Sequence, residues 1–152
     1  MNTNELISYF EKKYNKNINK FDDIKLHDIS CFEYLTEEFI EKYEYKIDWY
    51  RISYYQKLSE EFIEKYENKV YWNCISRNQK LSEEFIEKYE SKIWWDFISQ
   101  DQNLSGEFIH KYKNKINFNN LSKQNKINYL KYKAKNNIIS NEDYLKELLK
   151  LK

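Results

Sequence analysis

The sequence predicts an all-α fold, a right-handed solenoid of stacked short helix pairs, and three observations carry that expectation. A 23-residue phrase occurs four times: LTEEFIEKYEYKIDWYRISYYQK from Leu35, LSEEFIEKYENKVYWNCISRNQK from Leu58, LSEEFIEKYESKIWWDFISQDQN from Leu81 and LSGEFIHKYKNKINFNNLSKQNK from Leu104. A period of this size marks units that can bury their apolar faces only against neighbours. Each phrase also opens with the signature of a capped helix. Finally, the 152 residues hold no Pro and one Gly but 15 Tyr, 9 Phe and 4 Trp. Tight β-turns lack raw material, while large rings supply a core.

The elements follow in chain order. Leu6, Phe10, Tyr14 and Ile18 reproduce the spacing of Leu35, Phe39, Tyr43 and Ile47. Residues 1–34 therefore read as a degenerate repeat that caps the stack, with a longer connection around Asp22–Asp28. Residues 35–126 form the regular array. In the unit from Leu58, Ser59 is the N-cap, and Glu60 and Glu61 complement the helix dipole. Leu58 and Ile63 have the spacing of a hydrophobic staple, and Glu61 and Lys65 pair at i,i+4. Phe62, Ile63 and Tyr66 make the apolar stripe of a helix of two to three turns. Asn68 is a left-handed stop with Val70 as anchor beyond it. A second helix runs from about Trp72 to Gln79. Phe62, Trp72, Phe85 and Trp95 are expected in the core. Residues 127–152 form a basic C-terminal cap, Lys- and Asn-rich at first. It ends in an amphipathic helix that Ser140 and Asp143 open and that carries Tyr144, Leu145, Leu148 and Leu149.

The net charge of +1 conceals an asymmetry. Residues 35–103 carry 10 basic and 15 acidic side chains, whereas residues 104–152 carry 11 and 4. Such a distribution speaks to partners, not to fold. No apolar run reaches membrane-spanning length. Two cysteines without metal-like spacing, and no leader-like stretch, predict a reducing, intracellular setting.

Catalytic, cofactor and metal chemistry find no support in the residue pattern. Glu37/Glu38, Glu60/Glu61 and Glu83/Glu84 recur on the first turn of every unit, as dipole partners do. His27 and Cys31 lie four apart but lack further ligands. His110 replaces a glutamate. Cys74 occupies a position that Arg51, Phe97 and Asn120 fill elsewhere, so it reads as a variable surface or packing residue. No nucleophile triad or Gly-rich loop is present.

The first helix of the unit is nearly constant, whereas the second varies at five positions. These are Asp48/Tyr71/Trp94/Asn117, Tyr50/Asn73/Asp96/Asn119, Arg51/Cys74/Phe97/Asn120, Tyr54/Arg77/Gln100/Lys123 and Tyr55/Asn78/Asp101/Gln124. A constant core with one diversified surface is how a recognition solenoid is built; neutral drift on a solvated face is the bland alternative. The candidate partner-binding residues are Tyr50, Arg51, Tyr54, Tyr71, Arg77, Trp94 and Phe97. An acidic face of Glu60, Glu64, Glu83 and Glu87 could imitate phosphate in a basic channel of another protein. Nucleic acid is the rival partner. Lys111, Lys113 and Lys115 lead a series, Lys123, Lys126, Lys131, Lys133 and Lys135, interleaved with Tyr112, Phe118, Tyr129 and Tyr132, as in a single-strand groove.

The pattern L-S-E-E-F-I-E-K-Y-x-x-K-I-x-W-x-x-I-S-x-x-Q over residues 35–126 resembles short helical repeats of proteins from large DNA viruses and from low-GC bacteria and their mobile elements. Such proteins mostly lack an assigned activity, so the resemblance implies the repeat and little chemistry. Size, solitary domain and an AT-rich coding bias suit a viral or mobile-element protein that blocks a host macromolecule. One concrete version inhibits a host nuclease or defence complex in the manner of an anti-CRISPR protein. The expectation is thus a non-enzymatic protein-binding module, with a nucleic-acid-binding or a structural, assembly-type protein as alternatives.

Overall fold

The computed structural model describes Ser8, Lys12, Ser30, Cys31 and residues 35–151. The N-terminal cap read from Leu6, Phe10, Tyr14 and Ile18, the connection around Asp22–Asp28, and His27 lie outside these residues. Among the described residues every regular element is an α-helix: α1 (Glu37–Lys42), α2 (Trp49–Tyr55), α3 (Glu60–Lys65), α4 (Trp72–Asn78), α5 (Glu83–Lys88), α6 (Trp95–Asp101), α7 (Gly106–Lys111), α8 (Lys123–Lys135) and α9 (Asn141–Leu149). From α1 to α7 the helices start 11 or 12 residues apart. The chain divides into two compact units, Met1–Gln79 and Lys80–Lys152.

In the first unit, Thr36 Oγ1 and Ser59 Oγ accept from the N–H groups of Phe39 and Phe62 at 3.3 and 3.1 Å, opening α1 and α3. Behind each cap a Phe-Ile pair turns inward; Phe39, Ile40, Phe62 and Ile63 are buried, as are Ile52 on α2 and Ile75 on α4. α2 packs against α4. Helices of 6 and 7 residues are too short to persist alone, so these contacts hold them.

The recurring Ser and Gln of the I-S-x-x-Q run are buried joints between elements. Gln79 Oε1 accepts from the Leu58 N–H at 3.0 Å, and its Nε2 donates to the Ser53 and Gln56 carbonyls at 3.2 and 2.8 Å. Gln56 takes the Leu35 N–H at 3.0 Å and donates to the Ser30 carbonyl at 3.3 Å. Ser53 Oγ donates to the Trp49 carbonyl at 2.7 Å and accepts from the Tyr71 N–H at 3.0 Å. Backbone groups at helix ends and connections thereby find the partners that burial demands.

The second unit uses the same devices. Ser82, Ser105 and Ser140 cap α5, α7 and α9. Gln102 accepts from the Leu81 N–H at 3.1 Å. Asn125 accepts from the Leu104 N–H at 2.9 Å and donates to the Gln102 carbonyl at 2.8 Å. The fourth phrase then departs from the pattern. Residues 118–120 form a turn where the others have a Trp-led helix. Leu121 and Ser122 act as a fresh Leu-Ser opening, with Ser122 Oγ accepting from the Asn125 N–H at 3.1 Å. The Lys- and Asn-rich stretch therefore belongs to α8, 13 residues long, which starts upstream of residue 127. Gly106 permits this. A Cβ there would collide with the Asn128 carbonyl oxygen and with Tyr132 Cβ on α8. The other phrases hold Glu37, Glu60 and Glu83 at that position.

Several local expectations are corrected. The first helix of the unit is shorter than two to three turns: α3 has 6 residues and ends at Tyr66, whose N–H reaches the Phe62 carbonyl. Asn68 is not left-handed, since Asn137 alone among the described non-glycine residues has positive φ, at 54°. The chain instead continues through turns, with the Lys69 and Val70 N–H groups both on the Tyr66 carbonyl. Lys65 pairs with Glu41 at 2.7 Å in place of the expected Glu61. Phe62 and Phe85 are buried, but Trp72 and Trp95 are only half-buried. The reason is the indole N–H, which needs an acceptor at the rim. Trp49, Trp72 and Trp95 donate to the Glu44, Glu67 and Glu90 carbonyls at 3.1, 3.0 and 3.3 Å. The rings themselves rest on aromatic neighbours: Trp49 is 4.9 Å from Tyr66 and Trp95 is 5.0 Å from Tyr112.

Candidate functional site

The five variable positions do not face the same way. Tyr54 and Arg77 are exposed, as are Tyr55 and Asn78, and Tyr50 with Asp96. The Arg51/Cys74/Phe97 position turns inward: Cys74 is buried, and Arg51 and Phe97 are half-buried. Arg51 is also engaged, donating to the Cys31 thiol and lying 3.5 Å from Asp48 Oδ2. Burial pushes the Cys74 thiol above its ordinary pKa, and a hydrogen bond with the Tyr50 hydroxyl offsets part of this rise.

In the first unit the structure gathers four exposed rings. Tyr50 and Tyr54, one turn apart on α2, have centroids 6.3 Å apart and nearly parallel planes. Tyr71 meets Tyr50 edge-on at 5.3 Å, and Tyr55 meets Tyr54 at 4.7 Å. Their exposures are 45% for Tyr50, 38% for Tyr54, 51% for Tyr55 and 48% for Tyr71. Tyr55 was not among the expected contacts, although its position is one of the five that vary. In the second unit Trp94, 55% exposed, stacks with Phe97 at 6.1 Å.

Tyr71 and Trp94 occupy the N-cap of α4 and α6 and make no side-chain cap hydrogen bond. At the equivalent place in the first phrase, Asp48 Oδ1 accepts from the Tyr50 and Arg51 N–H groups at 3.0 and 3.2 Å. Asn117 Oδ1 likewise accepts from the Asn119 N–H at 3.2 Å. A capping side chain is worth about 1 kcal/mol. The two aromatic residues forgo it.

The expected charged residues are partly consumed inside the units. In the second unit Glu83 accepts from the Ser105 N–H and hydroxyl at 2.5 and 3.0 Å, and Glu87 pairs with Lys111 at 2.7 Å. In the first unit Glu60 is half-buried and Glu64 exposed. Lys115 pairs with Glu90 at 3.1 Å. The Glu87 hydrogen bond holds the Lys111 ammonium above the ordinary lysine value. Of the three expected nucleic-acid contacts, Lys113 lines a groove in the second unit. That groove, about 490 Å³, also takes in Phe118, Leu121, Lys126, Tyr129, Leu130, Lys133 and the end of α9.

Among the described residues no group of three or more His, Cys, Asp or Glu side chains is placed to hold a metal ion. None of the described helices is long and apolar enough to cross a membrane. No family model matches the chain, and neither does any curated protein or solved structure.

Proposed function

We propose that this chain is a non-enzymatic protein-binding module, a solenoid of 23-residue helix pairs whose contacts come from the exposed rings of the second helices. One observation carries the reading: at the N-caps of α4 and α6, Tyr71 and Trp94 expose 48% and 55% of their surface and do no capping. Rings of this kind bury large areas at low entropic cost and dominate interface energetics. Tyr50, Tyr54 and Tyr55 extend the Tyr71 cluster in the first unit, with the exposed Arg77 as a further contact. Arg51 and Phe97 buttress rather than lead. The resemblance of the phrase to repeats of large DNA viruses and mobile elements supports a version in which the partner is a host nuclease or defence complex, blocked by occupation.

Substituting a capping residue separates fold from function. Tyr71→Asp and Trp94→Asp each add a cap worth about 1 kcal/mol and lose a ring contact worth about 0.5–1.5 kcal/mol, so each should leave the stability of the fold within about 1 kcal/mol of the parent. They should weaken capture of the partner from a lysate of the native host, as should a Tyr50→Ala/Tyr54→Ala pair. Variants that capture the same partner undiminished would refute the aromatic surface. A wild-type bait that retains no specific protein would refute the module.

A further inference from the structure

The second unit carries a site independent of the aromatic surface. The groove beside α8 has an apolar floor of Leu121 and Leu130, both buried, and a wall of Phe118 and Tyr129 with centroids 5.4 Å apart. Its volume of about 490 Å³ lies within the range of ligand sites. Phe118 is 39% exposed, so its ring is available to an incoming planar group.

Cationic groups surround this apolar strip. Lys113, Lys126 and Lys133 line the groove, and none of them forms an ion pair with a described carboxylate. The lining carboxylate, Glu147, is already held by Lys150 at 2.6 Å. Lys133 Nζ sits 5.2 Å from the centre of the Tyr129 ring, which keeps the amine close to the wall. Helix α8 has five lysines and no acidic residue in its sequence KQNKINYLKYKAK. The neighbouring Lys111 and Lys115 differ, since Glu87 and Glu90 neutralise them.

A planar ring next to unpaired amines fits a base and its phosphate. Lys126 and Lys133, two turns apart on one face of α8, with Lys113 across the groove, fit a chain of phosphates better than a single anion. We propose that this groove binds single-stranded nucleic acid, seating a base on Phe118 and its backbone among Lys113, Lys126 and Lys133. Duplex is disfavoured because a paired base cannot reach the ring.

The test is fluorescence anisotropy of the full chain with a labelled thymidine oligonucleotide of about 15 residues. Binding should weaken steeply between about 50 and 200 mM salt, and replacing the three lysines by Gln should flatten the log–log slope by about 0.7 for each phosphate left without its lysine. Phe118→Ala should weaken binding by about 5- to 150-fold without changing that slope. Should Phe118→Ala melt, Phe118→Leu keeps the apolar bulk and should show the same weakening. Lys111→Gln with Lys115→Gln should cost less than the groove triple. The proposal is overturned by an oligonucleotide that does not bind at the lower salt, or by a triple variant that binds as the parent does. Equal affinity for a duplex of the same length would remove the stacking argument. A nucleoside monophosphate binding as tightly as the oligonucleotide would reassign the groove to a free nucleotide.

Discussion

Replacing Gln79 with Leu removes almost no volume, so the outcome isolates hydrogen bonding from packing. The Gln79 side chain, 5% exposed, serves three backbone groups: the Leu58 N–H and the Ser53 and Gln56 carbonyls. A buried polar group left without a partner costs about 1–3 kcal/mol. An orphaned N–H belongs at the upper end of that range, and carbonyls, with two lone pairs each, nearer the lower. The three together predict a loss of about 3–5 kcal/mol, a large share of the stability of a domain this size. Urea unfolding followed by far-UV circular dichroism measures it, with an unchanged m-value as evidence that the same surface unfolds. Gln79→Glu adds a second arm. Its carboxylate keeps the Leu58 N–H but sets negative charge against two carbonyls, which raises the folded-state pKa. Stability should therefore recover as pH falls through that raised value, because the protonated acid can donate again. A Gln79→Leu variant within about 1 kcal/mol of the parent would refute the claim that these glutamines join the elements.

The remaining predictions concern packing and ionisation. Trp49→Ala should cost about 2–3 kcal/mol, less than a fully buried Trp, and Trp49→Phe about 1 kcal/mol for the missing Glu44 hydrogen bond; equal losses in the two would discredit the hydrogen-bond share. Gly106→Ala should destabilise by about 1–3 kcal/mol through overpacking against α8, and Gly106→Glu by more; a neutral Gly106→Ala in thermal melts would mean that α7 and α8 are not in close approach. Burial raises the Cys74 thiol above its ordinary 9.0, so the folded chain keeps a proton that the unfolded chain loses as pH climbs past that value. This contribution is fully present below 9.0 and lost as pH rises towards the folded value. Cys74→Ala should therefore show a shallower alkaline decline in its urea midpoint, and parallel declines would count against the buried thiol.

Interactions that close within one turn were legible in the sequence. Ser59, Ser82, Ser105 and Ser140 each bond the N–H three residues ahead, a contact set by local geometry alone. The helix from Trp72 ends within a residue of where its spacing puts it, for the same reason. The Phe-Ile pairs followed from helical periodicity. What stayed hidden joins residues some twenty positions apart. Gln56 and Gln79 looked like polar residues at helix ends, yet their partners lie 21–26 residues away. Glu41 and Lys65 pair over 24 residues, so the local i,i+4 reading chose the wrong carboxylate for Lys65. The half-burial of Trp49 depends on where the Glu44 carbonyl and the Tyr66 ring meet it. The groove beside α8 needs Phe118, Leu130 and Leu151 in one place. Sequence spacing sets which face of a helix is apolar, but an unpaired donor or charge finds its partner only when neighbouring elements pack, because solvent exclusion and distance are properties of the assembled fold.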